Sequence, residues 1–467
     1  MRHFDVVVIG SGPAGVAVAE RLYEMTPAAT IAVIERGPIL LREHFYDTGG
    51  SIDQRDQFFA RHQECPWGGD LSRGGALLPA LGGRGIVGGS QLHRFYECDF
   101  TLWPQGSWPI DPKELQPYFL EAEENLLTGA YCGGDSQEYM YSTLSRFKAQ
   151  HPPYGSAIDA TRGPNDGFPH RSSVQRILTL LNRDQLTVPR RLTVFTEFTV
   201  AELVVGQSRS ELVSYARCLP SRNSHESPVD ISGTFFVLAA SPVESARLVL
   251  TSRVGPVRSV DSPVGGYLAE HVYCRGYVDI SNNPELRHGP VNIYIPPPGD
   301  NPEDRHQIEL RSVQSDNGRT LLRATGSAAM DPRADNRVVL SLNRVDNYGL
   351  PQAFTTLTLS RHDERRRLSL LDALQGIASH FSGKWLSGPS TLPCGGSYHE
   401  AGTLRISKRE EDGAADPNGL LFGTENVFVG DGAAFPSVGV ANPILTLTAM
   451  GYRLADHLSH LLGSTLG

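Results

Sequence analysis

The feature that most constrains the fold is the start of the chain, where a strand, a glycine-rich turn, a helix and a second strand follow in order. Residues 4–9 read Phe-Asp-Val-Val-Val-Ile, a β-branched run typical of a strand buried on both faces of a parallel sheet. Residues 10–15 read Gly-Ser-Gly-Pro-Ala-Gly and lead into a helical pattern of small residues. A second apolar run at 30–34 ends at Glu35, 20 residues after Gly15. This order predicts a dinucleotide-binding βαβ unit.

Each glycine of this turn has a different structural role. Gly10 permits the tight turn, Gly12 lets the backbone approach a pyrophosphate, and Gly15 lets the helix pack close to the strand. The helix then presents the positive end of its dipole to the phosphates. The spacing places Glu35 where an acid binds ribose hydroxyls, and the alternative is a solvated carboxylate at a strand end.

Composition and charge restrict the class of protein further. The 467 residues are 40% hydrophobic and 20% charged, which is typical of a globular chain with two or three domains or one two-lobed unit. The net charge of −9, without a basic block, argues against nucleic acid and anionic membranes as partners. Six cysteines without a CxxC pair predict no zinc site, no other metal and no dense disulfide framework. We therefore expect a cytoplasmic protein with no membrane span and no secretory signal.

Further segments also contain glycine-rich turns beside apolar strands. They are 36–37 (Arg-Gly), 81–90 (Leu-Gly-Gly-Arg-Gly-Ile-Val-Gly-Gly-Ser), 235–248, 264–271, 399–403 (His-Glu-Ala-Gly-Thr), 426–433 and 442–443 (Asn-Pro). Successive glycines expose backbone N–H groups that can hold phosphate and approach a flat ring. In this combination the chain resembles the glucose–methanol–choline (GMC) oxidoreductases, a family of flavoenzymes.

The resemblance implies an α/β fold, with a Rossmann-like FAD-binding domain and a discontinuous second domain built on an antiparallel sheet. It implies an FAD-binding domain from 1–100, 186–275 and 396–467, and a substrate-binding domain from 101–185 and 276–395. Alternating stretches at 338–342 and 354–359 favour an antiparallel sheet in the second domain. These boundaries are the predicted organisation.

The resemblance also implies which residues contact FAD. They are Gly10, Gly12, Pro13, Ala14, Gly15, Glu35, Arg36, Gly82, Gly83, Gly88, Gly89, Ser90, Val200, Ala240, Asp431, Gly432, Ala433, Asn442, Pro443 and Thr446. Val87 matches the position at which related enzymes tether FAD through a histidine, so we expect non-covalent FAD. Ser241 stands where the family usually has glycine, and we expect the turn there to differ.

Oxidation of an alcohol requires removal of the hydroxyl proton while hydride leaves carbon, and histidine has a suitable pKa for the first task. By resemblance the catalytic pair is His399 and Asn442, as in the His/Asn branch of pyranose oxidase, cholesterol oxidase and cellobiose dehydrogenase. An amide cannot act as a base, so the base is His399, and Asn442 positions the hydroxyl. The other histidines, including His93 and His271, are interpreted as structural.

The predicted function is FAD-dependent oxidation of a CH–OH group on a sugar-like compound, a glycoside, an aminocyclitol or a nucleoside. The partners are a small-molecule alcohol and an electron acceptor, either oxygen or another carrier. Three alternatives remain: an NAD-dependent dehydrogenase, a non-redox lyase, and a binding protein on the same fold.

Overall fold

The computed structural model describes most of the chain. The described residues are 1–41, 59–86, 92–103, 106–126, 134–150, 172–206, 209–221, 226–257, 262–286, 291–299, 301, 304–315, 317–378, 380 and 384–465. The predictions made for Val87, Gly88, Gly89 and Ser90 lie outside these residues.

The described elements alternate between strands and helices at both ends of the chain. The strands are β1 (Arg2–Ile9), β2 (Ile31–Ile34), β3 (Gly68–Gly69), β4 (Leu192–Phe195), β5 (Phe198–Gly206), β6 (Arg209–Pro220), β7 (Val229–Leu238), β8 (His271–Asp279), β9 (Asn292–Ile295), β10 (His306–Gln314), β11 (Thr320–Ala329), β12 (Arg337–Val345), β13 (Pro351–Thr356), β14 (Lys384–Thr391) and β15 (Val427–Val429). The helices are α1 (Pro13–Met25), α2 (Gln116–Leu126), α3 (Asp135–Thr143), α4 (Ser173–Gln185), α5 (Pro242–Ser252), α6 (Arg361–Ala378) and α7 (Ile444–Thr465).

The first sheet brings distant parts of the chain together around β1. Its order is β4-β2-β1-β7-β6-β5, and β15 pairs with the C-terminal part of β7. The pairs β4–β2, β2–β1, β1–β7 and β7–β15 are parallel, whereas β5–β6 and β6–β7 are antiparallel. Val6, Val7 and Val8 are fully buried because helices and loops cover both faces of the sheet. The carboxyl ends of β1, β7 and β15 therefore meet at one edge, which is where ligands bind in parallel sheets.

The second sheet is antiparallel, in the order β14-β8-β11-β10-β9. Its apolar face packs against α6, which approaches so closely that a Cβ on Gly326 would lie 2.3 Å from Leu370. The alternate residues of β8, β11 and β10 face the other way and include His271, Ser327 and Gln307. The period of two along each strand thus separates a core face from a polar face.

The antiparallel pairing predicted at 338–342 and 354–359 also occurs, because β12 and β13 pair with each other. They form a small sheet with β3 and lie outside the larger antiparallel sheet. The division into two domains stays a prediction. Across the described ranges, no helix combines the length and apolar character that crossing a membrane requires.

Candidate active site

The glycine-rich turn between β1 and α1 is compact at two of its glycines and open at the third. Gly10 has φ +102°, and a Cβ there would lie 2.2 Å from the carbonyl oxygen of Ala239. A Cβ on Gly15 would lie 2.1 Å from the carbonyl oxygen of Gly10, so α1 packs directly on the turn. Gly12 has extended backbone and no atom within 4 Å of its Cβ position. The turn is therefore closed towards the sheet and open at Gly12.

Glu35 holds the turn from the end of β2. Its Oε2 accepts hydrogen bonds from the backbone N–H and the hydroxyl of Ser11, and its Oε1 accepts one from Gly37 at 3.0 Å. The Ser11 Oγ also accepts from the Gly82 N–H at 2.9 Å, so one hydroxyl links both glycine-rich turns. Burial raises the pKa of the Glu35 carboxyl group, although the hydrogen bonds from these donors act to lower it. Nothing in the sequence pattern distinguished Ser11.

A cavity begins at this turn and extends to the C-terminal motifs, and its empty space, including the part that is open to solvent, is about 1140 Å³. Predicted residues that line it are Gly10, Gly12, Pro13, Ala14, Glu35, Arg36, Gly83, Val200, Ala240, His399, Asp431, Gly432 and Pro443. It is also lined by Ser11, Arg84, Thr199, Ser241, Glu244, Tyr398 and Glu400, which the sequence interpretation did not include among the cofactor contacts. A single concave space thus joins the two ends of the chain.

Four of the other predicted cofactor residues have packing or linking contacts. Gly15 packs on Gly10, and Gly82 donates to Ser11 with φ +96°. Ala433 donates its backbone N–H to Asp431. Thr446 is buried, and its hydroxyl accepts from the Phe95 N–H at 3.3 Å.

Asp431 joins the turn after β15 to the turn after β7. Its Oδ2 accepts from the Ser241 N–H at 2.9 Å and from the Ser245 hydroxyl at 2.7 Å. Burial raises the pKa of Asp431 to about 6. Ser241, expected to depart from the family's glycine, has φ +83°, a conformation that costs a non-glycine residue about 1–3 kcal/mol. The hydrogen bond from its N–H to Asp431 holds it there.

His399 lines the cavity and contacts a second imidazole. Its Nδ1 lies 2.9 Å from Nδ1 of His271, and Nε2 of His271 lies 2.6 Å from the carbonyl oxygen of Gly439. Burial lowers the pKa of His271 to about 4, and burial together with the neighbouring His271 holds the pKa of His399 well below 6.5. Both rings are therefore neutral near pH 7. The sequence suggested only a structural role for His271.

Asn442 lies on the segment that starts at Gly439, which crosses the polar face of the second sheet. Gln307 Nε2 donates to Asn442 Oδ1 at 3.4 Å, and the hydroxyl of Tyr294 donates to Gln307 Oε1 at 2.9 Å. The segment is also held by Ser327, whose hydroxyl donates to the carbonyl of Val440 at 2.9 Å. One side chain from each of β8, β11 and β10 thus fixes this segment.

A buried ion pair connects the second glycine-rich turn to the His399 segment. Arg84 donates to both carboxylate oxygens of Glu400, at 3.1 Å and 2.6 Å. The Glu400 side chain is fully buried, so this bidentate pair satisfies a charge that would otherwise be costly. The pair holds Arg84 at the cavity wall beside His399.

The cavity fits a flavin adenine dinucleotide by the polar groups that its lining offers. Among the described residues, buried polar atoms without a hydrogen-bond partner include Thr199 Oγ1, Ser241 Oγ and Arg36 Nη1, and all three residues line the cavity. Such atoms are rare unless a ligand satisfies them. A Cβ on Gly12 would fill the space at the N-terminus of α1, where helix N–H groups bind phosphate.

Comparison with known proteins agrees with this geometry. The family model described as GMC oxidoreductase matches residues 332–451, the part that contains His399 and Asn442. This part of the chain is therefore a GMC oxidoreductase domain. The protein is an FAD-dependent alcohol oxidoreductase that acts on a small molecule and needs an electron acceptor.

Similar proteins match almost the whole chain. The 6'''-hydroxyparomomycin C oxidase of Streptomyces lividus is 26% identical over 98% of this chain and 92% of that protein. The C-glycoside 3-oxidase of Microbacterium trichothecenolyticum is 24% identical over 97% of this chain and 96% of that protein. The crystal structure of pyridoxine 4-oxidase from Mesorbium loti superposes with a TM-score of 0.70 at 17% identity, covering 98% and 99% of the two chains. This confirms the predicted α/β fold with a Rossmann-like FAD-binding domain.

Proposed function

We propose that this GMC oxidoreductase oxidises a CH–OH group of a sugar-like alcohol, with His399 as the base that takes the hydroxyl proton. The observation that carries the proposal is the position of His399. A neutral imidazole lines the same cavity as the Gly12 turn and the free polar atoms that fit FAD. A neutral imidazole can accept a proton, whereas a charged one cannot.

FAD, when bound, supplies the hydride acceptor at N5 of its ring. The chain supplies the base, the orientation of the alcohol and the exclusion of water. Arg84 and the buried Glu400 form the wall beside His399 and limit the access of water to the imidazole from that side. Low solvation strengthens each hydrogen bond made to the alcohol.

Asn442 has the role of holding the alcohol oxygen. The hydroxyl of Tyr294 donates a hydrogen bond to Gln307 Oε1, so the Gln307 amide directs its NH₂ group at Asn442 Oδ1. Since Oδ1 of Asn442 is engaged, its own NH₂ group is left to donate. An alcohol oxygen that accepts from Asn442 can offer its proton to His399, which orients the C–H bond for transfer.

The proposed substrate class follows from the relatives. By their names these relatives are oxidases of 6'''-hydroxyparomomycin C, of C-glycosides at position 3 and, for the Tricholoma matsutake protein that is 24% identical over 83% of this chain, of pyranoses at position 2. We propose a glycoside, aminocyclitol, nucleoside or other sugar-like alcohol here. Oxygen is the proposed acceptor, because these relatives are oxidases.

A direct test is anaerobic bleaching of the purified yellow protein by a panel of glycosides, aminocyclitols, nucleosides and polyols. We expect at least one panel member to reduce the flavin with formation of one carbonyl product, and admission of oxygen to restore the colour with formation of hydrogen peroxide. An NAD-dependent dehydrogenase would instead be colourless and would need added NAD. A lyase or a binding protein would consume or bind the compound while the flavin stays oxidised.

We further propose that FAD is held without a covalent bond. Val87 has no nucleophile, and among the described residues that line the cavity there is no cysteine and no histidine apart from His399. Acid precipitation should therefore release all the flavin into the supernatant, with the mass of unmodified FAD. Yellow colour that stays with the washed precipitate would contradict this proposal.

A further inference from the structure

Two dipeptides of mirrored sequence lie opposite each other beside the cavity. Glu270-His271 begins β8, and His399-Glu400 lies in the segment after β14. Ala269 and Ala401 form an antiparallel bridge, with hydrogen bonds from each N–H to the other's carbonyl at 3.0 Å and 2.8 Å. Antiparallel pairing from this bridge sets His271 opposite His399. The contact between the two imidazoles is thus built into the backbone.

The carbonyl of Gly439 decides where the protons of these rings lie. A carbonyl oxygen only accepts, so the His271 Nε2 that lies 2.6 Å from it must carry a hydrogen. Since His271 is neutral, its Nδ1 has a lone pair and accepts. Nδ1 of His399, 2.9 Å away, must then be the donor. The remaining nitrogen of His399, Nε2, is left with a lone pair.

The neighbouring carboxylates accept their hydrogen bonds from groups other than the two imidazoles. Glu270 accepts from the Gly395 and Ser397 N–H groups at 2.6 Å and 2.9 Å, and Glu400 is paired with Arg84. His271 is 3% exposed, so water has little access to replace it as the partner of His399. The carbonyl of Gly439, which is the last acceptor in this series of hydrogen bonds, therefore sets the proton positions on both imidazoles.

We propose that His271 is a positioning residue, which accepts the Nδ1–H of His399 and thereby keeps the Nε2 lone pair of His399 available for the alcohol proton. This inference rests on the proposed role of His399. A base in the wrong tautomer presents N–H where a lone pair is needed, an error that can cost up to about 10⁴-fold in rate. Without His271 the ring would divide between two tautomers of similar energy and would be free to rotate.

Two conservative variants separate the two hydrogen bonds of His271. In His271→Asn the amide can place its oxygen near the position of Nδ1, so an acceptor for His399 remains and the contact with Gly439 is lost. In His271→Gln the amide lies near the position of Nε2, so the contact with Gly439 remains and the acceptor is lost. A matched control is His306→Asn, because His306 lies on β10 and faces away from the polar face.

Anaerobic stopped-flow reduction of the FAD-loaded variants by a bleaching substrate measures the effect. We expect His271→Asn to stay within about tenfold of the parent rate and His271→Gln to lose about 10²-fold, with substrate affinity little changed and His306→Asn like the parent. A purely structural role predicts equal losses for the two His271 variants. Equal losses, no loss in either, or the reverse order would each overturn the proposal.

A second measurement needs no His271 variant. Long-range ¹H–¹⁵N spectra of the parent labelled with ¹⁵N-histidine report the tautomer of each neutral ring, and the signal missing from His399→Ala belongs to His399. We expect the Nδ1–H tautomer, and an Nε2–H signal overturns the proposal. If His399→Ala is reduced at the parent rate, the proposed function itself fails. If only the His271 variants behave like the control, the base stands and the positioning role fails.

Discussion

Replacing His399 by alanine is expected to leave a folded, yellow protein whose flavin is reduced by substrate about 10²–10⁴ times more slowly than in the parent. The reason is the loss of the imidazole that is proposed to accept the hydroxyl proton. FAD content should be unaffected, because the Gly12 turn, where the phosphates are expected, is unchanged. The measurement is anaerobic stopped-flow absorbance of the flavin, which isolates reduction from the later reaction with oxygen.

Asn442→Ala should also slow reduction, but for a different reason, because the alcohol oxygen loses its donor and His399 loses a fixed target. The double variant should therefore lose less than the sum of the two single effects, as groups acting on one transition state do. His457→Ala is a suitable control, since His457 is a histidine of α7 that packs against Phe428 and is not among the cavity-lining residues. Parent-like reduction in His399→Ala would refute the assignment, whatever steady-state turnover showed.

The N-terminal unit was predictable because its signal is local. Strand β1, the turn and α1 follow within 25 residues, and the structure differs from the expected strand 4–9 only by starting at Arg2. The glycines are informative for the same reason, since φ +102° at Gly10 and the contact of Gly15 with Gly10 concern neighbouring residues. Periodicity and turn chemistry act over this range.

The contact between His271 and His399 was not predictable in the same way. The two residues are 128 positions apart, and only the bridge between Ala269 and Ala401 sets them opposite each other. The mirrored order Glu-His and His-Glu is the one sign of that pairing in the sequence. It can be interpreted only when the two segments are known to be antiparallel. The contacts of Ser11 were not predictable for the same reason, because its hydroxyl links two turns that are distant in the chain.

The second sheet shows a further limit of sequence patterns. The alternation at 338–342 correctly predicted the pairing of β12 with β13, but the larger sheet uses β8–β11 and β14. In β11, residues on both faces are buried, because α6 covers one face and the segment that starts at Gly439 covers the other. Burial on both faces removes the alternation of apolar and polar residues that would reveal a half-buried strand.

Gly12→Val is expected to give a folded, colourless protein, with affinity for FAD lowered by about 10²-fold or more. The backbone of Gly12 is extended, with φ −62°, so valine can adopt it without strain, and no protein atom lies within 4 Å of the new Cβ. The side chain would therefore project into the space at the N-terminus of α1 where the pyrophosphate is expected to lie. The loss is one of cofactor binding and leaves folding intact.

Two further variants distinguish this explanation from general damage. Gly388→Val is the matched control, because Gly388 lies on β14 with equally free space around its Cβ position. Gly15→Val should lower stability as well as FAD content, since its Cβ would lie 2.1 Å from the carbonyl of Gly10 and α1 would have to move. Added FAD should raise the melting temperature of the apo parent and of Gly388→Val, as binding to the native state requires, but not that of Gly12→Val. A yellow Gly12→Val protein with parental FAD content would show that the phosphates lie elsewhere, and the cavity assignment would fail with it.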